Sequence, residues 1–346
     1  MCSKTQTKTT SSSSPPASFA GQMICLSVVT CVLAVWCKFT FVDESTYPPL
    51  APLHSAKTPL ALTTLYLLSI PLLKTFKLSN PKSLLLPSML LYNLFQVTLN
   101  IYTVALILHS LKNGHPLIGS TTSPLCSTAI WIHYTNKYLE FLDTTFMLLR
   151  QRHDQVSFLH VYHHFTITWA WYFGVLLWAG GDSYFGALLN SGIHVMMYGY
   201  YAMTLLGMKC PWKRYLTVAQ LMQFVSVVLF TVGCVYYNWR RLEGRHFMAM
   251  GIQVGEMGSL FFLFSKFYKK SYTKKIKGTD DLPIDECQNA IQEGVENNMY
   301  VDQCAQAVKE GVVGINEVGG VVYSRLEGKE RVLKGAVKKN SWSMVG

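Results

Sequence analysis

Charge is scarce in this chain, and most of it lies off the long apolar stretches. Asp, Glu, Lys and Arg make up 14% of the 346 residues while half are hydrophobic; an ordinary soluble domain carries about 25% charged residues. That shortage excludes a fully solvated globular surface. Acidic residues are the scarcer sign, 19 against 30 basic, for a net charge of +11. Nine cysteines are scattered (Cys2, Cys25, Cys31, Cys37, Cys126, Cys210, Cys234, Cys287 and Cys304) and no two form a CxxC pair. The spacing therefore excludes a zinc ribbon and offers no disulfide framework. Several of these cysteines lie inside apolar runs, where a thiol behaves as a small hydrophobe. Also lacking is a dilysine or KDEL-type ending, since the chain closes on SWSMVG.

What the chain has instead is long apolar runs. A hydrocarbon core of about 30 Å asks a helix for about 20 such residues. The runs fall at 59–75, 83–109, 124–149, 157–178, 184–206, 215–237 and 247–268, with an earlier one at 22–42. The expected fold is all-α, a multi-pass membrane bundle of seven core helices plus an extra N-terminal apolar helix. Four regions follow: a polar N-terminus at 1–21 containing SSSSPP, the apolar segment at 22–42, a membrane domain at 59–268, and a basic stretch with a polar tail at 269–346. The segment at 22–42 reads as a signal anchor, a cleaved targeting segment or a true first helix.

The basic residues explain themselves by position. Lys74, Lys77, Lys82, Arg150, Arg152, Lys209, Lys213 and Arg214 cluster in three short loops, and Lys266 to Lys277 forms a basic run after the last span. All fall on one side of the expected bundle, which the positive-inside rule assigns to the cytosol together with the C-terminus. The net charge thus calls for a membrane, and no nucleic-acid partner is expected.

Ionisable and amide side chains inside membrane helices are costly and mark function by default. Four groups stand out at about 100° per residue. Lys137, Glu140, Asp143 and Thr144 fall within one arc of the third span, where Lys137 and Glu140 have pairing distance as i, i+3. A structural ion pair is the competing reading. His160, His163 and His164 share a face of the fourth span. Asn190, His194, Met197, Tyr198 and Tyr201 make a stripe on the fifth, where Asn190 is placed to fix the tautomer of His194; a plain packing surface is the alternative. Thr217, Gln220 and Gln223 share a side of the sixth, where interhelical hydrogen bonding alone would also explain them. All lie in the middle or the cytosolic half of their spans, so four helices are expected to converge on one polar pocket.

HVYHH has the HxxHH spacing of one box of the membrane di-iron desaturases and hydroxylases, the alternative reading of this site. A di-iron centre needs about eight ligands in several boxes. The other histidines (His54, His109, His115, His133, His153 and His246) form no second HxxHH and no HxxxH. No metal is expected. Without one, imidazole serves as general base or as nucleophile toward an activated acyl group, and basic loops suit the phosphates of a carrier such as coenzyme A. The residues themselves reach acyl transfer at the cytosolic side of a membrane.

The motifs KYLEFLDT (137–144), HVYHH (160–164), HVMMYGYY (194–201) and TVAQLMQ (217–223), in this order, resemble the ELO family of very-long-chain fatty acid elongases over about 59–275. The resemblance implies a 3-oxoacyl-CoA synthase of the endoplasmic reticulum membrane that condenses an acyl-CoA with malonyl-CoA and needs no cofactor. It implies catalytic roles for His163 and His194, with His160 and His164 shaping the site. Lys137, Glu140, Asp143, Asn190, Tyr198, Tyr201, Gln220 and Gln223 would line it. The partners implied are the two CoA thioesters, membrane lipid, and the reductases and dehydratase that complete the elongation cycle; a homo-oligomer is left open. The phrase QVSFLHVYHH, with Gln155, is similar to elongases of polyunsaturated chains and sets that substrate expectation.

Overall fold

In the computed structural model, residues 18–41, 55–119, 123–178, 181–277, 313–315 and 321–323 are described. The polar N-terminus expected at 1–21 lies outside them up to residue 17, as does nearly all of the tail beyond 277. Nine α-helices appear among the described residues: α1 Phe19–Phe41, α2 Lys57–Lys74, α3 Pro81–Lys112, α4 Pro124–Leu139, α5 Phe141–Leu149, α6 Phe158–Trp178, α7 Tyr184–Leu205, α8 Leu216–Asn238 and α9 Gly244–Lys277. The all-α membrane bundle is therefore the observed architecture. The described residues up to Ser265 form one compact unit; in the second, Val313–Ile315 (β1) pairs antiparallel with Val321–Tyr323 (β2), Val313 opposite Tyr323.

Local chemistry sets the helix ends. Ser123 caps α4 by accepting the Cys126 amide at 3.2 Å, with Pro124 at the first helical position, where no amide is needed. Both α3 and α7 close on a glycine with positive φ, Gly114 at 92° and Gly207 at 70°. In each, the next amide reaches back to the carbonyl five residues earlier: His115 to Ser110 at 3.1 Å and Met208 to Met203 at 2.9 Å. α5 ends the same way on Gln151, whose φ is 62°.

Four helices, α1, α3, α8 and the Gly244–Lys269 part of α9, are long and apolar enough to cross a bilayer by composition alone. Of the rest, α4 and α5 are too short for that by themselves, with 16 and 9 residues, while α6 and α7 carry the site's histidines. The third expected span is not one helix. It breaks at Glu140, where the Asp143 amide bonds the Glu140 carbonyl at 3.1 Å. The Leu139 carbonyl, left without its usual partner, accepts the Tyr92 hydroxyl of α3 at 3.3 Å. A side chain entering the backbone ladder is a sufficient cause for such a break.

The apolar segment expected at 22–42 is helix α1, and it packs into the bundle against α3 and α4. Trp36 Nε1 donates to the Thr135 carbonyl at 2.9 Å while Trp131 Nε1 donates to the Thr40 carbonyl at 3.2 Å. α3 lies along α7, and its buried residues include the polar Asn93, Gln96, Asn100 and Thr103 beside Leu85, Tyr92, Leu99 and Ile107. α6, α7, α8 and α9 enclose a cavity.

Candidate functional site

The break between α4 and α5 places Glu140 at the centre of the polar cluster. Its Oε1 accepts Lys137 Nζ at 2.7 Å and Asn136 Nδ2 at 3.3 Å. His194 Nδ1 of α7 lies 3.1 Å from the same oxygen, an ion-pair distance without hydrogen-bond alignment. Lys137 also donates to Asn190 Oδ1 at 3.0 Å. Lys137 and Glu140 are each 1% exposed, so neither charge is solvated and each is held by the other. Asn190, expected to fix the tautomer of His194, is instead turned to Lys137, and the group nearest His194 Nδ1 is Glu140.

Asp143 and Thr144 extend the cluster on either side. Asp143 Oδ2 accepts the Tyr198 hydroxyl at 2.7 Å, and the Tyr92 hydroxyl stands 3.4 Å from that of Tyr198. Gln96 Nε2 donates to Tyr92 in turn at 3.3 Å. Thr144 Oγ1 is 2.8 Å from His160 Nε2 and 3.1 Å from the Tyr66 hydroxyl of α2. The His160 and His164 rings stand 4.4 Å apart and those of His163 and His164 5.5 Å apart. The Nδ1 atoms of His163 and His164 are buried without a protein partner.

His163 faces the cavity between α6, α7, α8 and α9. Asn190 and Gln223 stand with it on the wall, followed by Ile167, Trp171, Phe224, Val227 and Met257, and at the far end by Trp178, Ser183 and Met250. The volume is about 60 Å³. From His163 to Trp178 the helix rises about 22 Å, so the space is narrow and elongated, polar at the His163 end and mostly apolar beyond it, with Glu256 and Gln253 also on the wall.

Not every expected residue joins this arrangement. Gln223 is buried on the tunnel wall, while Gln220, one turn earlier, is only half-buried and is not on that wall. Tyr201 packs edge-on against Tyr198 at 6.0 Å, and neither lines the cavity. Gln155 is exposed in the turn between α5 and α6. Among the described residues no three or more His, Cys, Asp or Glu side chains are grouped to hold a metal ion.

Three participants escaped the sequence reading. Glu256 of α9 lines the tunnel and accepts the Thr166 hydroxyl at 2.7 Å; its signal was a lone acid inside the last apolar run. His133, buried on α4, lies 2.9 Å from Ser191 Oγ and stacks edge-on to Trp171 at 4.5 Å. Tyr92 had no signal at all, being one aromatic residue in an apolar helix.

Comparison with known proteins agrees with these motifs. Residues 51–280 match the ELO, GNS1/SUR4 family. The chain is 35% identical over 240 residues to the human protein named very long chain fatty acid elongase 4, covering 65% of this chain and 75% of that one. It is 38% identical over 228 residues to mouse very long chain fatty acid elongase 2, at 62% and 75% coverage. Mouse very long chain fatty acid elongase 5 is 43% identical over 150 residues, 42% of this chain and 48% of that one.

Proposed function

The chain belongs to the ELO family and is a fatty acid elongase of the 3-oxoacyl-CoA synthase type, and from that premise we propose how its residues carry the condensation and which chains it extends. The observation that carries the proposal is the polar head of the tunnel, where His163, Asn190 and Gln223 stand together on a wall that is otherwise mostly apolar. An acyl chain lies along the apolar length with its thioester at the head. The di-iron alternative is set aside in favour of this chemistry.

His163 attacks the thioester carbonyl with a ring nitrogen. The C–S bond breaks, and CoA leaves as a thiolate that takes up a proton. The acyl group then rests on the imidazole. Malonyl-CoA loses CO2, and the electron pair left on its α-carbon attacks the acyl carbonyl, returning the imidazole. The sum is acyl-CoA plus malonyl-CoA plus one proton giving 3-oxoacyl-CoA, CoA and CO2. Glu140 stands beside His194 Nδ1, and the His194 ring assists at the reacting carbonyl. Asn190 is held by Lys137 and offers its amide to the same region. His160 and His164 shape the wall behind His163, and Asp143 with Tyr198 fixes α7 against α5. Tyr201 and Gln220 support this shell from outside it.

Polyunsaturated chains are the preferred substrates on this reading, supported by the phrase QVSFLHVYHH. Since Gln155 lies in the loop, it acts at the entrance and not on the tunnel wall. The enzyme sits in the endoplasmic reticulum membrane with its C-terminus cytosolic and passes product to the reductases and dehydratase of the cycle.

Membranes from an expressing host, given labelled malonyl-CoA and a panel of saturated, monounsaturated and polyunsaturated acyl-CoAs, test this. A product longer by two carbons is expected from polyunsaturated substrates and is lost in folded His163→Ala. Full activity in that variant removes His163 as the nucleophile, and extension of saturated chains alone removes the role given to Gln155.

A further inference from the structure

The remote end of the tunnel is not apolar. There it shares Trp178, Ser183, Met250 and Gln253 with an annex that adds Asp182, Phe230, Thr231 and Cys234. The annex has a volume of about 10 Å³, close to what one water or one hydroxyl oxygen occupies. Three polar atoms around it are buried with no protein partner: Trp178 Nε1, Asp182 Oδ2 and Ser183 Oγ. Trp178 is 6% exposed and Asp182 4%, so bulk water does not satisfy them.

The fold holds these groups in place. Asp182 Oδ1 accepts the Gly119 amide at 2.9 Å, which fixes the carboxyl and leaves Oδ2 open. The Trp178 indole packs against the His246 ring with centroids 4.7 Å apart. Gly181 lies against Trp178 Nε1, and a Cβ there would collide with it. Burial pushes the Asp182 carboxyl up to about 6, against the pull of the Gly119 amide and of the Cys234 thiol. The Cys234 thiol beside it is at most a weak donor.

The annex therefore presents one firm donor, one firm acceptor and a hydroxyl that serves as either. A methyl terminus would leave all three dry, and each unmet buried polar group is costly. A hydroxyl at the end of the chain accepts from Trp178, donates to Asp182 and can meet Ser183. We propose that this end pocket binds an oxygen at the far terminus of the acyl chain, so that ω-hydroxyacyl-CoA is preferred over the methyl-ended chain of equal length. The inference rests on the tunnel holding the acyl chain, and it concerns the last carbon, not the double bonds.

The test uses the full chain in membranes with matched pairs of acyl-CoA, methyl-ended and ω-hydroxylated, over a series of lengths. At the length that reaches the annex, kcat/KM for the hydroxylated member should be about tenfold higher, the worth of one or two hydrogen bonds. Shorter hydroxylated chains, whose oxygen stops in the apolar stretch, should be extended less well than their methyl-ended partners. The ratio at the optimal length should fall toward one in Ser183→Ala and in Asp182→Asn, with Trp178→Phe as an independent third variant. Because each ratio is internal to one protein, partial loss of folded enzyme does not disturb it. Equal rates at every length overturn the inference, as does a preference that none of the three substitutions moves; the annex then holds only a water. Failure to extend any chain removes the elongase reading and this inference with it.

Discussion

Removing the Glu140 carboxylate takes away the acceptor common to Asn136 and Lys137 and the charge beside His194. Lys137 would remain as a buried cation with only the Asn190 amide oxygen for company, and breaking such a pair costs about 3–5 kcal/mol. Glu140→Ala should therefore lower thermal stability in detergent by that order and abolish product. The double variant Lys137→Met with Glu140→Leu should regain much of the stability and none of the activity. A Glu140→Ala protein that melts like the parent would show that the pair is not the anchor described here. The Lys137–Glu140 contact was legible in the sequence because an i, i+3 spacing fixes it within one segment. The third partner was not: His194 lies 54 residues after Glu140, and periodicity does not say which helices face each other. Glu256 was legible in principle, as a lone acid in an apolar run.

At the scale of elements, the end of α5 is the strained joint. Gln151 has φ 62°, where an L-residue pays about 1–2 kcal/mol that glycine does not. Glycine's greater freedom when unfolded offsets about half of this. Gln151→Gly should thus leave stability equal or raise it by up to about 1 kcal/mol. Gln151→Val, β-branched in a conformation it scarcely adopts, should lower it by more. The order Gly, Gln, Val in melting temperature is the readout, and Val at or above Gln would remove strain as the explanation. Helix ends at Gly114 and Gly207 carry residues that announce a left-handed turn, but Gln151 does not. Nor does the stretch 137–143 hold a glycine or proline to announce the break at Glu140. That break follows from Tyr92, 47 residues from Leu139 in the sequence, and only the assembled bundle brings them together.

At the scale of the molecule, the spans were legible because a bilayer demands long apolar runs, while the role of the first was not, because an anchor, a leader and a bundle helix share one composition. Its packing separates these roles. The family match begins at residue 51, so α1 lies before it, yet α1 exchanges tryptophan hydrogen bonds with α4 through Trp36 and Trp131. Thr135, which receives Trp36, stands two residues before Lys137. Hydrophobic burial contributes little between helices already in lipid, so packing and these two bonds are what α1 supplies, at about 1 kcal/mol per bond. Trp36→Phe should cost about 1 kcal/mol with activity nearly intact. A chain without residues 1–42 should still reach the membrane fold, melt several degrees lower, and yield less product because α4 and Lys137 are held less firmly. Co-expressing the segment 1–42 separately should restore part of both. An unchanged melting temperature together with an unchanged product yield would make the segment a delivery signal, and its contacts with α4 incidental.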